Sequence, residues 1–217
     1  MDWKEKADLY LTNVDSLLVQ ARSTHMSDGV VLSEGDRPLV RAFAISDPGF
    51  KQDAELTYVR GRDLFSSFQK AHITAECYWR LPNAKNESDL FGSSSPFLLE
   101  SIVSLRSSKL SVDHIPFLLD LPSLIEDASS NPESTQCLVT EENGFTWCVM
   151  SHPDDANEVA IHTGEKGIQV AIDVPWMERG VIRRIRLLLA CWPSPPQHEE
   201  IEKVATQFAE SEIPLTT

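Results

Sequence analysis

Between Gln136 and Cys191 the chain alternates apolar and polar residues over short runs, and no other feature constrains its fold as strongly. Ile168, Val170, Ile172 and Val174 share one parity, with Gln169 and Asp173 among the residues between them. A period of two leaves one face of a strand dry and lets the other meet water. Glu141-Glu142-Asn143-Gly144 and Gly164-Glu165-Lys166-Gly167 supply turn chemistry between β-rich runs. Hairpin-length turns join antiparallel neighbours, whereas parallel pairs need long crossovers. The sheet is therefore expected to be mainly antiparallel.

The remainder reads as mixed. In residues 2–23, Ala7, Tyr10, Leu11, Val14, Leu17, Leu18 and Ala21 recur at three- and four-residue spacing behind Asp2, which predicts a capped amphipathic helix. Strands over 30–33 and 39–45 form a hairpin around Glu34-Gly35-Asp36-Arg37, and 54–60 is another strand. Leu64, Phe65 and Phe68 fall on one side of a short helix over 62–70, before a strand at 73–81. Ser95-Pro96 reads as a helix start that buries Phe97, Leu98, Ile102 and Leu105, and a second helix over 115–128 bends at Pro122. A last helix runs from His198 to Glu210.

The expected class is α+β, mainly antiparallel sheet with flanking helices. It divides into an N-terminal α+β subdomain (1–81), a linker and helical connector (82–135) and a C-terminal sheet with a terminal helix (136–217). Two similar α+β subdomains and one continuous domain are both open, and 82–95 and 129–135 are the linker-like stretches. This element order is similar to that of the small acidic chaperones of bacterial type III secretion. The likeness implies two fused copies that wrap segments of a cargo protein.

At 217 residues the chain buries about 70% of its unfolded surface and needs neither disulfide nor metal to hold a core. No apolar run approaches the ~20 residues that span a bilayer, and Met1-Asp2-Trp3-Lys4-Glu5 lacks the apolar core of a signal peptide. A cytoplasmic protein is expected. Its four cysteines form no C-x-x-C pair. A four-residue loop at 141–144 sets Cys137 opposite Cys148, where a disulfide is sterically conceivable and a reducing cytoplasm favours two free thiols. The net charge of −14 repels phosphates, so nucleic acid is not an expected partner. Arg183, Arg184 and Arg186 form the one basic run, but a strand points Arg183 away from the other two.

His152-Pro153-Asp154-Asp155 resembles the zinc-binding segment of the LmbE-like N-acetylglucosamine deacetylases. That resemblance implies His152 and Asp155 as metal ligands and Asp154 as general base of a metal-dependent hydrolase. It covers four residues, and the chain departs from the family pattern around them. Ala156 leads into another strand rather than a helix, the segment lies late in the chain, and no His-x-x-His follows. Read by itself, Pro153-Asp154-Asp155 is a turn, whose aspartates hydrogen-bond their own backbone. His162 is a further neighbour for His152 if the strands after the two turns pair.

No nucleophile elbow or phosphate-cradling loop is present, and no cofactor is implied. Trp176 and Trp192 flank prolines at strand ends, where tryptophan can anchor an interface. With Arg183, Arg184 and Arg186 they form the candidate binding set. The expected function is a non-catalytic acidic module that binds another protein, a basic one by charge, in a secretion-chaperone-like or toxin-neutralising role. A homodimer is one form of it. The metal-dependent hydrolase is the alternative.

Overall fold

The computed structural model describes residues 2–14, 16–47, 49–50, 53–82, 96–122, 137–142, 144–164 and 167–212. The linker expected at 82–95 apart from Pro82, the one at 129–135, and the end of the helix expected over 115–128 lie outside these residues, as do Asn143, Glu165 and Lys166 of the two turns. The chain is dominated by antiparallel sheet. Strands β1 (Lys4–Lys6), β2 (Leu9–Val14), β3 (Leu17–Arg22), β4 (Val30–Glu34) and β5 (Arg37–Ala42) form a five-stranded meander in chain order. The strands β6 (Ala44–Ile45), β7 (Leu56–Arg60), β8 (Asp63–Lys70), β9 (Ile73–Arg80), β10 (Phe97–Ser107) and β11 (Ser111–Pro122) follow. The C-terminal part adds β12 (Cys137–Glu142), β13 (Phe145–Ser151), β14 (Val159–Gly164), β15 (Gly167–Glu178), β16 (Ile182–Trp192) and helix α1 (His198–Glu210).

Two further sheets complete the fold, one of seven strands in the order β12-β13-β16-β10-β9-β8-β7 and one of four in the order β14-β15-β11-β6. The alternating run of 136–191 is therefore shared between two sheets. Its outer pieces, β12, β13 and β16, pair with one another, while β14 and β15 pair with β11. The seven-stranded sheet draws strands from both the 1–81 and 136–217 segments and takes β10 from between them. One apolar core runs through all three sheets, from Trp3 and Val19 through Trp79 and Phe117 to Leu189. The Trp3 indole N–H donates to the Arg62 carbonyl at 3.1 Å and ties the N-terminus to the β7–β8 turn.

Four of the expected helices are strands. Residues 2–23 form β1 to β3, because Leu17, Val19 and Ala21 also satisfy a period of two and bury that face. Helix stability comes mostly from tertiary packing, so pairing with β4 outweighs a local helical spacing. The expected helix at 62–70 is β8, whose first six residues are all buried. The stretch after Ser95-Pro96 is β10, covered on both faces except at its ends. A strand buried on both faces has no polar side, so its periodicity cannot be told from that of a buried helix. Residues 115–122 lie in β11, with Ile115, Phe117, Leu119 and Leu121 in the core. Pro116 is tolerated because β6 pairs only Leu119 and Asp120 on that side. The secretion-chaperone element order rested on these helices. Only α1, the expected last helix, is present as an α-helix among the described residues.

Gly29 joins the 3-10 segment Ser23–Asp28, which kinks at His25, to β4 at φ +70° and ψ −147°, a region open to glycine almost alone. A Cβ there would collide with the Ala42 carbonyl oxygen. Gly29→Ala is expected to cost about 1–3 kcal/mol, read as a lower urea midpoint at unchanged m-value.

Candidate functional site

Strand β16 organises everything that packs outside the main core. Ile185, Leu187, Leu189 and Cys191 point into that core, and Leu188, Ala190 and Trp192 point the other way. There they meet Val204 and Phe208 of α1, with Cys148 and Met150 of β13, in a second apolar cluster. Gln197 and Glu200 form a capping box that starts α1, and the Gln197 amide donates to Glu200 Oε2 at 2.7 Å. Trp192 is 1% exposed, so the helix covers it. It packs as core and presents no surface to a partner.

Arg186 lies on the same face as Leu188 and is 2% exposed. Its Nε donates to Glu100 Oε1 at 2.8 Å, and Nη2 reaches the same oxygen at 2.7 Å. Nη1 donates to the Ser211 carbonyl at 2.7 Å, Nη2 donates to Ser211 Oγ at 2.6 Å, and the guanidinium stacks 5.0 Å from the Phe208 ring. A helix leaves its last carbonyls without intrahelical partners and concentrates negative charge there. A buried cation at that end answers both needs. The other two arginines diverge, as the strand geometry required. Arg183 is partly exposed and bonds Glu158 Oε1 at 2.7 Å, and Arg184 is half-buried on the outer face.

The four-residue motif forms the corner where the chain leaves the seven-stranded sheet. The His152 amide donates to the Arg186 carbonyl at 3.0 Å, and Pro153–Asp155 make one 3-10 turn. His152 Nδ1 accepts the Asp154 amide at 3.3 Å, and Nε2 donates to the Ala209 carbonyl of α1 at 3.1 Å. Asp155 Oδ2 accepts the Arg186 amide at 2.9 Å, and Arg183 stands 3.7 Å from Oδ1. Asp154 is exposed. His162 points elsewhere, bonding Gln169 at 3.2 Å, and Gln169 donates on to Asp120 at 3.0 Å. Both nitrogens of His152 are thus engaged in holding the corner and the helix. Among the described residues no three His, Cys, Asp or Glu side chains converge on a point that would hold a metal.

Burial holds the Asp155 carboxyl above its ordinary range, although the Arg186 amide and the Arg183 guanidinium pull it down. Beside the corner, a cleft of about 200 Å3 opens between α1 and the sheet, lined by Leu98, Leu188 and Phe208 and floored by Arg80, Glu100 and Arg186. Arg80 is held by Asp63 through two bonds of 2.6 Å, so the floor is a row of alternating charge across four strands.

A second feature lies where β10 turns into β11 and β15 into β16. The Arg179 amide donates to the Leu110 carbonyl at 3.1 Å and joins the two turns. Leu110 is 79% exposed, Trp176 53%, Ile182 48% and Val181 46%. Beyond Ile172, β15 has β11 on one side and no paired strand on the other among the described residues. Pro175 lies in that open stretch and removes a donor from it, which guards the edge against strand addition. Trp176 was named from the sequence as a candidate anchor, and it is exposed here. Leu110 was not named, because the run before it reads as a helix.

No family model matches the chain, and no curated protein matches it. Two solved structures of a heparinase III gene product, one with methylated lysines, align with 88% of this chain at 8% identity and a TM-score of 0.45. The alignment takes in 35% of one chain and 36% of the other, so this chain spans little more than a third of their length. A likeness that weak carries no argument about function.

Two outcomes test the corner. Glu100→Gln and Arg186→Met are each expected to cost about 3–5 kcal/mol by leaving a buried partner uncompensated, and a double variant should cost less than their sum. Urea unfolding of the four proteins measures the coupling. For Asp155, the raised folded value means that the native state holds its proton to higher pH than the unfolded chain. Its contribution therefore favours folding below the ordinary carboxylate value of about 3.9 and is lost as pH rises through the folded value. Asp155→Asn should remove that dependence, so its stability relative to the native chain rises as pH climbs from below the ordinary carboxylate value through the raised folded value.

Proposed function

We propose that the chain is a cytoplasmic, non-catalytic module that binds another protein through the apolar end carrying Leu110, Trp176, Val181 and Ile182. The observation that supports this reading most directly is the joint exposure of these four side chains on adjoining turns and strand ends. Scattered apolar residues are normal on a surface, but contiguous ones that include a tryptophan mark interaction sites. The edge beside them is guarded by Pro175, so contact is made by side chains and not by an added strand. The charge of −14 favours a basic partner, steering its approach while the apolar residues supply affinity. Neutralising a basic toxin and holding a secreted cargo are two roles of this form.

Among the described residues no helix is long and apolar enough to cross a membrane. The hydrolase alternative would require His152 to give up its bonds to Ala209 and Asp154, and no observation favours it.

The test compares the native chain with Trp176→Ser/Val181→Ser/Ile182→Ser as bait in lysate at physiological salt, with unfolding midpoints measured in parallel. A partner retained by the native chain and reduced at least about tenfold by the triple variant, at equal stability, supports the site. Equal retention by both baits overturns it. Light scattering over a concentration series identifies the case in which that partner is a second copy.

A further inference from the structure

We propose that Cys137 and Cys148 form a modification site, a dithiol that reacts with hydroperoxides and closes to a reversible disulfide. The two residues lie on β12 and β13, and the hairpin between these strands is shorter than a four-residue loop. Glu142 pairs with Phe145, Cys137 faces Met150 and Cys148 faces Val139. The cysteines are therefore diagonal neighbours rather than opposite ones, on the face turned toward α1. Their sulfurs are nonetheless 3.0 Å apart. A disulfide bond of about 2.05 Å requires a further approach of about 1 Å. The residue that has to move is at the first position of β12, which among the described residues is an edge strand paired on one side only.

The two thiols are unequal in the way such a reaction needs. Cys137 is partly exposed, whereas Cys148 is fully buried against Met150 and Ala190. The two sulfurs share a hydrogen bond, which holds Cys137 below its ordinary value and raises Cys148, and burial raises Cys148 further. The reachable sulfur is thus the one that gives up its proton more readily to become thiolate, the nucleophilic form. Cys77 and Cys191 are 1% exposed in the main core, and burial raises both. They serve as internal controls.

In the first step the Cys137 thiolate attacks one oxygen of hydrogen peroxide and the O–O bond breaks. Hydroxide leaves, takes up the proton Cys137 had lost and becomes water, and the sulfur becomes a sulfenic acid. In the second step the Cys148 sulfur attacks that sulfenic sulfur as its proton departs. The S–O bond breaks, the S–S bond forms, and hydroxide combines with the proton as a second water. Two thiols are oxidised by two electrons in all, and one peroxide is reduced to two waters.

The experiment treats the folded full-length chain with hydrogen peroxide, then alkylates it and maps the cysteine peptides by mass spectrometry. Free thiols should fall from four by two, with a single 137–148 bridge that dithiothreitol reopens. Cys148→Ser should stop at a sulfenic acid on Cys137, trapped by dimedone. Cys137→Ser should lose thiols at least about tenfold more slowly than the native chain. Since Cys137 is partly exposed on an edge strand, this variant keeps the fold, and its urea midpoint checks that. Four thiols that survive treatment, a bridge between chains or to Cys77 or Cys191, or oxidation of Cys137→Ser at the native rate would each overturn the proposal.

Discussion

Burial of β16 on both faces is the constraint on which the other elements depend. One face completes the core shared by three sheets, and the other would leave Leu188, Ala190 and Trp192 wet without a cover. Helix α1 supplies that cover, which sets a further electrostatic problem, since its carbonyl end comes down over the sheet. Arg186 resolves it from within β16. The same side chain neutralises Glu100, bonds Ser211 and lies against Phe208. A buried ion pair is poor evidence of stability in itself. Here it ties the end of the helix to β16, because the guanidinium bonds the Ser211 carbonyl while the His152 ring bonds the Ala209 carbonyl.

That arrangement assigns the motif its place. His152-Pro153-Asp154-Asp155 has the residue types of a metal site, yet its donors face the protein's own backbone. His152 holds the end of α1, and Asp155 holds the β16 amide beside it. A turn that must carry the chain from one sheet to another benefits from a proline with fixed φ and from side chains that bond their surroundings. Exposed apolar surface lies at the opposite kind of place, on turns that no element covers among the described residues. The exposed end and the Cys137–Cys148 pair are independent features, and each survives or fails without the other.

The sheet content of the C-terminal part was legible because β14 and β15 keep one polar face. Ile168, Val170 and Ile172 are buried in strict alternation with Gln169 and Ala171, and the turns between strands carry glycine. The hairpin of β4 and β5, the strands β7 and β9 and the helix from His198 were legible for the same kind of reason. Strands β8 and β10 were not, because both of their faces are dry and Ser95-Pro96 supplies a strong local helix signal. For residues 2–23 two periods fit the same side chains, and pairing with β4 chose between them.

Local chemistry, then, determined by itself the antiparallel character of the sheets, the terminal helix and the acidity. Tertiary structure decided which strands share a sheet, that Trp192 is core while Trp176 is surface, and that Arg186 is buried whereas Arg183 lies partly exposed. It also decided that two cysteines eleven residues apart lie sulfur to sulfur. The division has one physical cause. Periodicity and turn chemistry act between residues near in sequence, whereas burial and pairing depend on partners such as Glu100 and Ser211, which only the folded chain brings to Arg186.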